Sequence, residues 1–204
     1  MTTNYTNDAI YHGGYLNLTK DGGDDSCTST ATISCAIASN STLGSMIPPV
    51  RSARLISKGK KFIKYGRVEV TAKMPVGDWL WPAIWMMPEK SVYGDWPRSG
   101  EIDIVESRGN GYDYAEGGKD WMTSTLHWGP SYDKDAYWRT TAGRHLRRTD
   151  FTKEFNTFGI EWTEDYIFTY LNSRLVQTLF TGFKKNSNMW KLGKFESVVS
   201  ILHS

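Results

Sequence analysis

The sequence predicts an all-β fold, a sandwich or barrel of short antiparallel strands, and three observations carry that expectation. Polar and apolar residues alternate strictly through "YGRVEVTAKMP" (65–75), the period of a strand with one buried face. Three strand-like runs near the end are joined by the tight turns "EDY" and "NS". Helical periodicity never persists beyond about two turns. Short strands, tight turns and no long helix point to those two classes. At 204 residues and 23.2 kDa the chain is expected to form a single domain over 1–204, large enough to bury a substantial core.

Taken in order, residues 1–50 are polar and rich in Ser, Thr and Gly, with one short strand expected in "GGYLNLTK" (13–20). "SMIPPV" (45–50) closes that section as an extended linker, because each proline removes a backbone donor. In 65–75, Val68, Val70, Ala72 and Met74 share one face, and Arg67, Glu69, Thr71 and Lys73 share the other. "WPAIWMMP" (81–88) is short, apolar and bracketed by prolines, which favours a buried strand. "GEIDIVES" (100–107) and "MTSTLHWG" (122–129) read as strands, as do "FGIEWT" (158–163), "YIFTYLN" (166–172) and "RLVQTLF" (174–180). Segments 107–121 and 129–150 read as long loops, the usual carriers of binding residues.

The net charge of +2, from 24 basic and 22 acidic residues, creates no strong field toward nucleic acid or an anionic membrane. No apolar run is long enough for a membrane span. Aromatic residues make up 14%, with nine Trp, more than a core of this size needs; flat rings that also hydrogen-bond suit sugar faces. For Trp81, Trp85 and Trp162 core packing is the expectation. The start "MTTNYTNDAIYHGG" has neither a basic nor an apolar leader segment. The first 42 residues nevertheless hold three N-x-S/T sequons, at Asn4, Asn17 and Asn40, and both cysteines. Cys27 and Cys35 read as a disulfide rather than a metal site, because no His or further Cys flanks them. Together these features predict a secreted protein whose leader lies outside this sequence.

One segment conflicts with its own burial. "GEIDIVES" places Glu101, Asp103 and Glu106 among Ile102, Ile104 and Val105. On a regular strand Glu101 and Asp103 share a face and Glu106 points away. A β-bulge at Ile104–Val105 would return Glu106 to its partners and keep both apolar residues turned inward. Same-face neighbours roughly 7 Å apart repel by about 2 kcal/mol at an effective dielectric near 20, and by about 0.6 kcal/mol in open water. The spacing alone therefore leaves three readings open: a solvated polar face, a Ca²⁺ site, or hydrolytic chemistry. A crowded acid row is one way to hold one carboxyl neutral while another stays ionised. A retaining glycosidase needs that division.

In its wider context "GEIDIVESRGN" resembles the active-site signature of glycoside hydrolase family 16, in its laminarinase-like endo-β-1,3-glucanase branch. "SARLISKGKKFIKYGRVEVTAKMPVGDWLWPAIWMMP", "YGDWPRSG", "STLHWGP" and "FGIEWTEDYIFTYLN" are similar to the same family in the same order, over about residues 52–195. The branch is most similar to animal glucanases and the related β-glucan recognition proteins.

The resemblance implies a concanavalin A-like jelly-roll β-sandwich with a concave glycan-binding cleft, acting on β-1,3-glucan as a monomer without cofactor or metal. It places Glu101 as nucleophile, Glu106 as acid/base and Asp103 as the helper that separates their pKa values. It places Trp96 as the platform beneath the sugar and His127 against the carboxylates or the sugar, with Arg67, Arg108 and Asn110 as further cleft residues. The implied activity is endo-acting, retaining hydrolysis of β-1,3-glucan; the rival is a non-catalytic glucan recognition protein of innate immunity. The family domain also implies strands beyond both ends of this sequence, so the chain as written is expected to lack C-terminal strands and to fold poorly alone.

Overall fold

The computed structural model describes residues 12–21, 23, 25, 27, 35–48, 52–184 and 187–195, and the chain divides into two compact units, Met1–Ile56 and Ser57–Ser204. In the first unit, β1 (Tyr15–Asn17) pairs antiparallel with β2 (Ala36–Ala38), Leu16 opposite Ile37. The strand expected over 13–20 is thus only three residues long, and its partner carries no clear strand signal. Cys27 and Cys35 form the expected disulfide, Cα atoms 5.6 Å apart, beside the backbone bonds Leu18 N→Cys35 O (2.8 Å) and Cys27 N→Leu18 O (3.0 Å). The sequon at Asn4 lies outside the described residues. Asn17 Oδ1 accepts from the Thr19 hydroxyl at 2.6 Å, and the exposed Asn40 accepts from the Thr42 and Leu43 amides at 3.0 Å.

The second unit is a sandwich of two four-stranded antiparallel sheets. One contains β3 (Gly66–Ala72), β8 (Asn156–Trp162), β9 (Tyr166–Leu171) and β10 (Arg174–Phe180), in the spatial order β10-β9-β8-β3. The other contains β4 (Ala83–Met86), β5 (Glu101–Ser107), β6 (Trp121–His127) and β7 (Thr141–His145), in sequential order. The alternation read in 65–75 sets the face of β3: Val68 and Ala72 pack on the core, and Arg67, Glu69 and Thr71 are exposed. Met74, Ile104, Val105, Met122, Phe151, Phe158, Ile160, Ile167 and Leu171 fill the space between the sheets. Gln177 also crosses it, donating to the Ser124 carbonyl at 2.9 Å.

A second cluster of Leu126, Trp128, Ala136 and Phe195 forms beside the end of β6. The short helix α1 (Asn188–Leu192) adds Met189 and Trp190 to it, and Ser187 caps that helix by accepting from the Trp190 amide.

The structure corrects three expectations. Among the described residues "WPAIWMMP" is an edge strand with one hydrogen-bonded neighbour, and Ala83–Met86 alternate between exposed and half-buried. For that reason Trp81 is 63% exposed and Trp85 37%, rather than packed in the core; Trp162 is half-buried and lies edge-on to Tyr65 at 5.2 Å. The segment 129–150 is not all loop: it contains β7, whose "TAGRH" lacks a buried apolar series, and two 3-10 turns, Tyr132–Lys134 and Tyr137–Arg139.

Candidate active site

The carboxylates stand on β5, between β4 and β6. Asp103 pairs with Thr125 and Glu106 with Thr123, so Ile104 and Val105 together oppose the single residue Ser124. The register against β4 shifts at the same place. This is the anticipated bulge. Ile104 and Val105 are 1% and 0% exposed in the core, and Glu101, Asp103 and Glu106 share the opposite face.

Each glutamate receives one indole N–H. Trp96 Nε1 donates to Glu101 Oε2 at 2.5 Å, and Trp81 Nε1 donates to Glu106 Oε1 at 3.1 Å. Asp103, between them, is buried. His127, opposite Glu101 on β6, places Nε2 3.2 Å from Asp103 Oδ2. That is an ion-pair distance without hydrogen-bond alignment, and this oxygen has no aligned donor. On its other side His127 Nδ1 lies 2.6 Å from Asp135 Oδ2. Its ring stacks on Tyr137 at 5.4 Å and meets Trp96 at 5.4 Å, and Trp96 in turn meets Tyr132 at 5.6 Å.

The electrostatics follow from that crowding. Burial, then the charge of Asp103, pushes both Glu101 and Glu106 above the ordinary carboxylate range; the indole bonds and His127 pull against it. Burial lowers His127, but its contacts with Asp103 and Asp135 outweigh it and raise the imidazole to about 9. The raised value makes His127 a stabilising cation whose contribution is complete below the unfolded value of 6.5 and is lost as pH rises through about 9. The stability difference between the wild type and His127→Asn, followed by urea midpoints, is expected to shrink across that window; a constant difference would contradict the paired imidazolium.

The other anticipated residues separate. Arg108 lies at the margin, its guanidinium 5.6 Å from the Trp81 ring centre and donating to the Glu116 carbonyl at 2.7 Å. Asn110 is buried and its Oδ1 accepts from the Trp79 amide at 3.2 Å, so its side chain braces a loop. Arg67 belongs to the other sheet, on the exposed face of β3, where it bonds Tyr170 Oη at 2.8 Å and Glu69 at 2.5 Å. It therefore does not converge with the carboxylates, because β3 pairs with β8 and not with β5.

Trp81, Asp135, Tyr132 and Tyr137 were not foreseen at the site. A tryptophan before an edge strand and an aspartate eight residues after His127 carry no local signal, though the loop position of Asp135 was a general hint. Among the described residues no group of three or more His, Cys, Asp or Glu side chains is arranged to hold a metal ion.

The chain is similar to known glucan-cleaving and glucan-binding proteins. The model of the family described as Glycosyl hydrolases family 16 matches residues 13–196. The chain is 39% identical over 183 residues to a beta-1,3-glucan-binding protein of Penaeus monodon, covering 89% of this chain and 49% of that protein. It is 39% identical over 127 residues to a glucan endo-1,3-beta-glucosidase of Cryptopygus antarcticus, covering 62% and 43%. The chain thus spans about half the length of the curated relatives it matches. Among solved structures, the laminarinase catalytic domain of Thermotoga maritima aligns at 34% identity and a TM-score of 0.51, over 60% of this chain and 46% of that one.

Proposed function

The chain belongs to glycosyl hydrolase family 16, and from that premise we propose that it hydrolyses internal β-1,3-glucosidic bonds of a laminarin-like glucan with retention of configuration. One observation carries the reading: Glu101, Asp103 and Glu106 share one face of a bulged strand, each glutamate anchored by its own indole N–H. Glu101 attacks the anomeric carbon while Glu106, in its protonated form, donates to the departing glycosidic oxygen. Glu106 then takes a proton from water, which displaces Glu101 and releases the sugar. The shorter indole bond, 2.5 Å against 3.1 Å, favours the ionised form of Glu101 over that of Glu106. Trp96, Trp81 and Tyr132 offer aromatic faces to the glucan. No step calls on a cofactor, and the disulfide and sequons fit a secreted protein acting on extracellular polysaccharide. Laminarin digestion followed by NMR should give the β-anomer as the first product; an α-anomer would overturn the retaining mechanism.

A second reading has its own support in the similarity to the Penaeus monodon glucan-binding protein over 89% of the chain. On that reading the same face binds β-1,3-glucan without cleaving it. Glucan pull-down and reducing-sugar release measured on one folded sample separate the two. Binding with release supports the hydrolase, and binding without release supports the recognition protein.

A further inference from the structure

His127 is held on both ring nitrogens. Nδ1 is in hydrogen-bond contact with Asp135 Oδ2 at 2.6 Å and Nε2 is at ion-pair distance, 3.2 Å, from Asp103 Oδ2, and only a protonated imidazole sets no lone pair against either carboxylate. Asp135 is itself fixed: its Oδ1 accepts from the Trp128 amide and the Tyr137 amide, both at 3.1 Å, and its side chain is 7% exposed. The loop that carries it is anchored at both ends. Trp128 and Ala136 sit in the second apolar cluster, Ala136 N donates to Trp128 O at 2.8 Å, and Trp128 Nε1 donates to Thr140 Oγ1 at 2.8 Å.

We propose that Asp135 is a positioning residue: it sets the orientation and proton inventory of His127, and through His127 the environment of Asp103 between Glu101 and Glu106. Asp135 touches neither glutamate by a hydrogen bond; beyond a minor direct charge effect on Glu101, its influence passes through one imidazole ring. The ring is flanked by two other rings. Tyr137 stacks on it, Trp96 covers it, and the Trp96 indole N–H is already committed to Glu101. The charged and titratable groups facing it are Asp103 and Glu101 from β5, Asp135 and Tyr137 from the loop after β6, and Glu106 further along β5. Removing the Asp135 charge leaves the Nδ1 proton without an anionic acceptor, so the ring gives up its proton at lower pH and Asp103 loses its cationic neighbour.

The inference rests on the hydrolytic reading only for its kinetic half. In Asp135→Asn, ¹⁵N-NMR of the purified protein should show His127 titrating about 1–2 pH units below its wild-type value near 9. The same variant should lose about 10–100-fold in kcat on laminarin with KM within about twofold, the pattern of a misplaced reacting group. Asp133→Asn is the control, since Asp133 is exposed and bonds Ser131 instead; it should leave the His127 titration and kcat unchanged. An unmoved His127 titration in Asp135→Asn, or unchanged kcat in an active protein, overturns the proposal. A shifted His127 titration in Asp135→Asn, with a folded wild type that does not hydrolyse laminarin, sustains the Asp135–His127 coupling and overturns the hydrolase reading instead.

Discussion

Glu101→Ala and Glu106→Ala are each expected to abolish laminarin hydrolysis, by on the order of 10⁴-fold or more for the nucleophile and about 10²–10⁴-fold for the acid/base. The two losses are separable by azide. In Glu101→Ala the anion fits the space left by the carboxylate and attacks from that side, giving an α-glucosyl azide. In Glu106→Ala, given an aryl glycoside whose leaving group needs no proton, the glycosyl-enzyme still forms on Glu101. Azide then arrives from the opposite side and gives a β-glucosyl azide. NMR of the anomeric proton reads the outcome; the same anomer from both variants, or undiminished hydrolysis in either, would contradict the assigned roles. Misfolding is not the expected cause of either loss. Both carboxyls are raised above their unfolded value by burial and then by Asp103. Their ionisation therefore opposes folding above that raised value, and the opposition is relieved as pH falls below the unfolded value of 4.5.

The second large effect is on stability. Phe158 is 0% exposed and lies on β8 with Val70 on one side and Leu171 on the other. Its ring centre is 5.7 Å from that of Phe151, also 0% exposed. Phe158→Ala removes a ring from between the two sheets and leaves a cavity that the surrounding strands fill only in part. The expected cost is about 3–5 kcal/mol, against the roughly 5–15 kcal/mol by which a domain is stable. Urea unfolding should show a lower midpoint at an unchanged slope. Phe180, on β10 and 76% exposed, is the reference: Phe180→Ala should fall within about 0.5 kcal/mol of the wild type. Equal costs at the two positions would mean that the sheets do not pack around Phe158.

Local features were legible in the residues alone. Strict alternation in 65–75 named the inward face of β3, because side chains on a strand change sides at every residue. The spacing of Glu101, Asp103 and Glu106 around Ile104 and Val105 required a bulge for the same reason, and the register shift falls there. The paired cysteines, close in sequence and without metal-ligand neighbours, form a disulfide. The wider string of motifs resembled the family that the matched residues 13–196 then identified.

Adjacency came from the packing of distant segments. Arg67 has the alternation of an exposed strand residue, but nothing within 65–75 says that β3 pairs with β8, in the sheet that does not carry the carboxylates. Trp81 and Trp85 looked like core because apolar runs usually are, yet β4 is an edge strand and one of its flanking indoles donates to Glu106. "TAGRH" became a strand because β6 offered its free edge, with Gly143 leaving room for the Trp121 ring, which a Cβ would approach to 2.0 Å. Asp135 reaches His127 because the loop after β6 is pinned by Trp128 and Ala136 in an apolar cluster completed by Phe195, some sixty residues further along. Periodicity records which way a side chain points. Which residue it meets depends on pairings between distant segments, whose closure is set by the packing of the whole sandwich.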